Sequence, residues 1–313
     1  MNVATLWPAV RRKTGAWQHS RAVRDILDTP PIVPADDGVI LFSMIGTAVL
    51  LPYLVAVKSL HMQLGRGRVM LLNDGTLTAA DKMLLAHHVG NPVILDFADI
   101  ETAPCPSGNC WERLLAILDL RRDHYVIQLD SDTVTLGPVP EVRDAIDANR
   151  SFTLGGGIEE VSHVFMTVPD MIRDIYPAGP RTPHIQSVIE SALRDVPGAE
   201  DLHYIRGCAG FAGFSISASG RAMAERFAVD AGRVVGPRFH EWGSEQAASN
   251  FVVANDPNPI QLPYDRFTNH WEEALPADPA FIHYIGTYRY DRGSYVASTE
   301  QAIRQLKQNK SSS

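Results

Sequence analysis

Cysteine is scarce, with three in 313 residues. That is too few for the disulfide framework of a small secreted domain. Cys105 and Cys110 lie in the loop Pro104-Cys105-Pro106-Ser107-Gly108-Asn109-Cys110, and Cys208 sits in an apolar stretch. A structural zinc site needs four Cys or His ligands, and no second pair follows. A local Cys105–Cys110 disulfide would require an oxidising compartment, so the expectation is three free thiols and a cytoplasmic location.

Positive charge is also in short supply. Twenty-eight Lys and Arg face 36 Asp and Glu, a net charge of −8, and no basic stripe of the kind nucleic-acid binding needs is present. The run Arg11-Arg12-Lys13 is short and reads as a solvated tail; no apolar segment of a secretory leader follows it. Val39 to Val57 is 19 residues without a charge, but Ser43, Gly46, Thr47 and Pro52 split it into a strand-like and a helix-like piece. No stable membrane span is expected, although peripheral association is compatible with the sequence. Four catalytic signatures are missing. There is no Gly-x4-Gly-Lys-Ser/Thr phosphate loop. The Gly155-x-Gly157 and Gly65-x-Gly67 pairs lack the third glycine of a dinucleotide fingerprint. Ser244 stands where a zinc-protease helix opening at His240-Glu241 would need its second His. Ser217-x-Ser219-Gly220 lacks the first glycine of a nucleophile elbow.

What is present is globular: 45% hydrophobic and 20% charged residues with both signs mixed. Residues 1–38 read as an N-terminal arm closed by Thr29-Pro30-Pro31-Ile32-Val33-Pro34. From Val39, apolar strands alternate with helices: strands at 39–45, 68–72, 92–97 and 124–129, helices at 48–60, 78–89 and 111–120. The strands are unbroken apolar runs rather than alternating ones, as for strands covered on both faces. The expected fold is therefore α/β, with a mostly parallel central sheet and helices on both faces. Residues 39–295 form one catalytic domain in this reading, and 296–313 a terminal helix and tail.

Four segments carry candidate chemistry. Leu129-Asp130-Ser131-Asp132-Thr133 closes the strand at 124–129. Residues two apart in an extended segment point to one side, and two carboxylates there call for a cation, at the strand edge where open α/β sheets bind ligands. In His283-Tyr284-Ile285-Gly286-Thr287-Tyr288-Arg289 an imidazole follows an apolar strand, Gly286 permits close backbone approach, and Arg289 offers a donor fork suited to phosphate. Ser244 is a good N-cap, which would put Glu245 and Gln246 in a first helical turn. Arg113 opens the helix preceding the Asp-x-Asp strand.

Together, and in this order, these segments resemble the GT-A nucleotide-diphospho-sugar transferases, most closely the glycogenin-like glycosyltransferase family 8 group. That family's Asp-x-Asp is matched by Asp130-Ser131-Asp132, its Asn-Ala-Gly strand by Cys208-Ala209-Gly210, its Asp-Gln-Asp-x-x-Asn by Glu245-Gln246-Ala247-x-x-Asn250, and its His-x-x-Gly-x-x-Lys by His283-x-x-Gly286-x-x-Arg289. The match runs from Val39 to Arg289, with Cys208, Glu245, Ala247 and Arg289 as departures. The resemblance implies a GT-A (Rossmann-like) fold and a hexosyltransferase that moves a sugar, with retention, from a UDP-linked donor to a glycan, lipid or protein acceptor. It implies donor binding by Arg113, Asp130, Ser131, Gly286 and Arg289, a metal held by Asp130, Asp132 and His283, and catalytic work by Glu245 and Gln246. The imidazole favours Mn²⁺, with Mg²⁺ as the alternative. Two other readings are a catalytically weak sugar-nucleotide-binding protein of the same fold and a sugar-1-phosphate nucleotidyltransferase. The latter usually has a Gly-rich loop and a basic residue after the first strand, and Ser43-Met44-Ile45-Gly46-Thr47 offers neither.

Overall fold

The structure is a computed structural model that describes residues 3–157, 165–271 and 273–309. In chain order the helices are α1 (Val3–Ala22), α2 (Leu50–Leu64), α3 (Ala79–Val89), α4 (Trp111–Leu120), α5 (Pro140–Asp147), α6 (Val168–Ile175), α7 (Ile185–Ala192), α8 (Ala222–Val235), α9 (Ser244–Asn255) and α10 (Ser294–Asn309). The strands are β1 (Val39–Ile45), β2 (Arg68–Asn73), β3 (Val93–Asp96), β4 (Tyr125–Leu129), β5 (Thr133–Thr135), β6 (Phe152–Gly155), β7 (Met166–Thr167), β8 (His203–Tyr204), β9 (Gly207–Phe214), β10 (Ile260–Gln261), β11 (Phe267–His270) and β12 (Phe281–Tyr284). The central sheet is seven-stranded and mostly parallel, in an α/β fold.

The chain divides into two compact units. One comprises residues 1–94, 129–143 and 265–313, the other 95–128 and 144–264. In the first, β1 and β2 pair in parallel, and their apolar runs are buried from Val39 to Phe42 and from Val69 to Leu72. The uncharged stretch from Val39 splits as its residues demand, into β1 and then α2. The window Thr47–Leu64 is long and apolar enough to cross a membrane by length and composition, yet Leu54, Val55, Ala56, Val57 and Leu60 are all buried against the protein. Helix α3 begins as its sequence asks: Thr78 accepts from the Asp81 amide, and the Asp81 carboxylate returns to the Thr78 amide.

A small sheet in the same unit matters most for function. β12 runs parallel to β11 and antiparallel to β5. β5 is only three residues long, too short to show a period in the sequence.

Within the segment read as an arm, Val3–Ala22 forms α1. His19 is buried and stacks on Tyr295 of α10, with ring centroids 3.8 Å apart, and its ring meets the Thr299 hydroxyl at 3.1 Å. Burial, helped by the charge of Arg289, lowers the His19 pKa to about 4, so the ring is neutral at ordinary pH. Ile26 and Val23 are buried as well. Lys58 on α2 donates to the Thr29 carbonyl at 3.3 Å and reaches His88 Nδ1 at 3.0 Å, which ties the end of this segment to the core. A few apolar residues among many polar ones had concealed a docked helix.

In the second unit the strand order is β10-β6-β9-β4. β6 is antiparallel to β9, with an irregularity between Thr153 and Leu154, and parallel to β10. A buried ion pair stands behind this sheet. Arg121 donates to both Asp256 oxygens, at 2.9 and 2.8 Å, and to the Ser215 carbonyl at 3.0 Å. Ser151 donates to Asp256 at 2.5 Å. Burial pushes the Cys105 thiol up to about 12.

The capping box gives a direct test of local structure. Thr78→Ala should cost about 1 kcal/mol, read as a lowered denaturant midpoint with an unchanged slope. No shift in the midpoint would mean that the box does not hold α3 in solution.

Candidate active site

The first unit brings Asp130, Asp132 and His283 together. One ligand atom from each lies within 4.8 Å of the others. Two local features produce this. β4 ends at Leu129, and the chain turns through Asp130-Ser131-Asp132 before β5 starts, with Thr133 Oγ1 donating to the Asp130 carbonyl at 2.9 Å. The β5–β12 register then sets Thr133 opposite His283, and the Tyr284 amide donates to the Asp132 carbonyl at 2.8 Å. His283 Nε2 therefore comes to 3.3 Å from Asp132 Oδ1. Asp130 is half-buried, while Asp132 and His283 are buried.

Burial by itself would raise the Asp132 pKa. The neighbouring His283 and Arg289 side chains outweigh it and hold the carboxyl below the usual carboxylate range. Arg289 is in direct contact with Asp132 Oδ2 and donates through Nε to the Tyr284 carbonyl at 3.2 Å. Gly286 lies between His283 and Arg289 with φ +27°, and a Cβ there would meet nothing within 4 Å. Its backbone thus borders open space rather than packed side chains. Two carboxylates and an imidazole within one small radius are a donor set suited to a divalent ion, since oxygen ligands accept Mg²⁺ or Mn²⁺ and the nitrogen favours the transition ion.

The second unit gathers Arg113, Glu245 and Gln246. Helix α4 is started by Glu112, whose carboxylate turns back to accept from the Gly108 amide at 2.7 Å and the Ser107 hydroxyl at 3.2 Å. Arg113, one residue on, is buried and donates to Glu245 at 3.2 and 3.4 Å. Ser244 does not cap α9. Gly243 holds the cap position with φ +104°, and a Cβ there would sit 2.8 Å from the His184 ring, so glycine is required by both conformation and space. Ser244 becomes the first helical residue, and its hydroxyl accepts from the buried Trp111 indole at 2.9 Å. A buried indole N–H needs such an acceptor, and this need overrides the local capping preference.

Gln246 donates to Gln186 Oε1 at 2.7 Å and lies 3.4 Å from the Ala209 amide. Gln186 donates to Glu190 at 2.8 Å. Glu190 is fully buried and accepts from Arg206 at 3.0 Å and from the Tyr176 hydroxyl. No motif in the sequence marks this chain of partners. Its one legible trace was the Gln186–Glu190 spacing, which places the pair on one helix face. Asn250 donates to the Gly207 carbonyl at 3.1 Å and so joins α9 to β9. Ser131, expected in donor binding, lies in the turn between Asp130 and Asp132.

Neither a known protein family nor a curated protein matches the sequence. Solved structures do resemble the fold. The galactosyltransferase LgtC in complex with donor and acceptor sugar analogues aligns with a TM-score of 0.50 at 13% identity, over 84% of this chain and 95% of LgtC. An active-site mutant of LgtC aligns over 83% of this chain and 95% of that one, at 12% identity and the same TM-score of 0.50. The bifunctional glycosyltransferase WbbM, in its apo form, aligns at 14% identity and a TM-score of 0.48 over 89% of this chain, which spans about half of WbbM (53%). At such identities the likeness is one of fold: the chain has the GT-A glycosyltransferase fold.

The Arg113–Glu245 pair is open to a double-mutant cycle on stability. Arg113→Met and Glu245→Leu should each cost about 3–5 kcal/mol, because each strands a buried charge. The double variant should cost clearly less than the sum. Additive losses would show that the two groups do not interact in solution.

Proposed function

We propose that the protein is a metal-dependent glycosyltransferase that takes a sugar from a nucleotide-diphosphate donor, with UDP as the expected nucleotide, and transfers it with retention to a glycan, lipid or protein acceptor. The observation that carries this reading is the Asp130, Asp132 and His283 donor set at the end of β4, on a fold shared with a sugar transferase. The motif order supports placement beside glycosyltransferase family 8.

In this reading Asp130, Asp132 and His283 hold one divalent ion, Mn²⁺ in preference to Mg²⁺. When bound, the ion supplies Lewis-acid stabilisation of the charge that develops on the leaving nucleoside diphosphate. Arg289 contributes guanidinium donors to the phosphates. It carries five N–H groups, more than its bonds to Asp132 and the Tyr284 carbonyl use. Gly286 keeps the neighbouring backbone open to the donor, and Ser131 and Arg113 are assigned to donor binding with it. Glu245, set in place by Arg113, orients the donor sugar and stabilises positive charge at its anomeric carbon. Gln246, held by Gln186, presents its amide to the same sugar.

Two experiments test the reading. Release of nucleoside diphosphate from a panel of nucleotide sugars should vanish with EDTA and return best with Mn²⁺; full turnover in excess chelator would overturn the metal assignment. Glu245→Gln keeps the side-chain size and removes the charge. Turnover should then fall about 100-fold, equivalent to roughly 2.7 kcal/mol of lost transition-state stabilisation, with donor affinity little changed. A lowered melting temperature with an unaltered rate would confine Glu245 to a structural role as the counter-charge of Arg113.

A further inference from the structure

His283 has two ring nitrogens, and only an unprotonated one can bind a metal. Nε2 is the nitrogen that faces Asp132, at 3.3 Å from Oδ1. The other, Nδ1, lies 2.9 Å from the Asn269 side-chain oxygen. The contact is built into the sheet. β11 and β12 are parallel, and their register places Asn269 directly opposite His283. Residues matched across neighbouring strands project to the same side, so the amide and the imidazole meet without a turn or loop to set them. Both side chains are buried, and the strands are further held by Phe267 against Phe281, whose rings stack with centroids 6.2 Å apart.

The amide oxygen only accepts, so it selects a proton on Nδ1. A neutral imidazole carries one N–H, which leaves the lone pair on Nε2. That lone pair then faces a carboxyl oxygen of Asp132, and two acceptors 3.3 Å apart repel unless a cation or a proton lies between them.

We propose that Asn269 is a positioning residue that fixes the tautomer and ring orientation of His283 and so makes Nε2 a metal ligand together with Asp130 and Asp132. The inference rests on the metal centre proposed above and extends it to a residue that no sequence motif marked. Outer partners of ligating histidines act in this way, and their loss typically weakens metal binding about ten- to a hundredfold.

The test needs no substrate. The histidine side chains of ¹⁵N-labelled, metal-free protein are recorded by long-range proton–nitrogen correlation, with His283 assigned by its disappearance in His283→Gln. The wild type should show the Nδ1-protonated tautomer. Asn269→Leu should lose that preference, while Asn269→Asp, which keeps an acceptor, should retain it. Mn²⁺ alone is then titrated and followed by electron paramagnetic resonance. Asn269→Leu should bind about ten- to a hundredfold more weakly, and Asn269→Asp at least as tightly as wild type. If Asn269→Leu does not fold by circular dichroism, Asn269→Ser replaces it, with the same tautomer and affinity losses expected.

An Nε2-protonated tautomer in the wild type would overturn the proposal, because the proton would occupy the ligand lone pair. So would an unchanged Mn²⁺ affinity in the Leu or Ser variant while Asp132→Asn abolishes binding; the metal centre would then stand without Asn269. Failure of the wild type to bind Mn²⁺ at all would remove the metal centre itself, and the role of Asn269 with it.

Discussion

A carboxylate withdrawn from water has to meet positive charge or hydrogen-bond donors close at hand, and much of this structure is arranged around that demand. Asp132, Glu190, Glu245 and Asp256 are all buried. Each meets an arginine: Arg289, Arg206, Arg113 and Arg121 in turn. Arginine suits the task because its planar fork stays charged and can satisfy several acceptors at once. The four pairs are not equivalent. Asp256 is closed off by Arg121 and Ser151 and serves the framework of its unit. Glu190 anchors Gln186 and through it Gln246. Asp132 differs most, because a second carboxylate and an imidazole share its surroundings. There the local charge exceeds what one arginine neutralises, and that excess is the physical basis for expecting a divalent ion.

The small sheet β11-β12-β5 is the device that concentrates this chemistry. It joins residues from 132 to 284 through hydrogen-bond register rather than through flexible loops. Register is a discrete property, and a slip by one residue would turn His283 to the opposite face. Of the three grouped residues, His283 is borne on a strand, while Asp130 and Asp132 lie in the short turn that leads directly into β5.

Long elements with a clear period were legible in the sequence. The buried runs of β1, β2 and β4, the capping box of α3 and the start of α4 lie within a residue or two of where pattern and capping chemistry put them. Short elements were not. Three-residue β5 and four-residue β11 carry too few positions to show a period, so Asn269 passed unmarked although it touches His283. Residues 1–38 read as an arm because side chains such as His19 find partners far along the chain, among them Tyr295 and Thr299 of α10. Ser244 carried a strong local preference for a cap, and the buried Trp111 indole took its hydroxyl instead.

Residue type and local order by themselves determined the α/β class and the presence of a paired-carboxylate strand end, a histidine strand and an acidic helix start, because these depend on side-chain chemistry and on periods of two and 3.6 residues. Which groups face one another was decided only in three dimensions. That Arg113 is spent on Glu245, that Arg289 leans on Asp132, and that Gln186 and Asn269 stand behind Gln246 and His283 are outcomes of long-range register and of burial. A buried charge or donor takes the best partner that the packed chain brings within reach, and no local pattern in the sequence records which one that is.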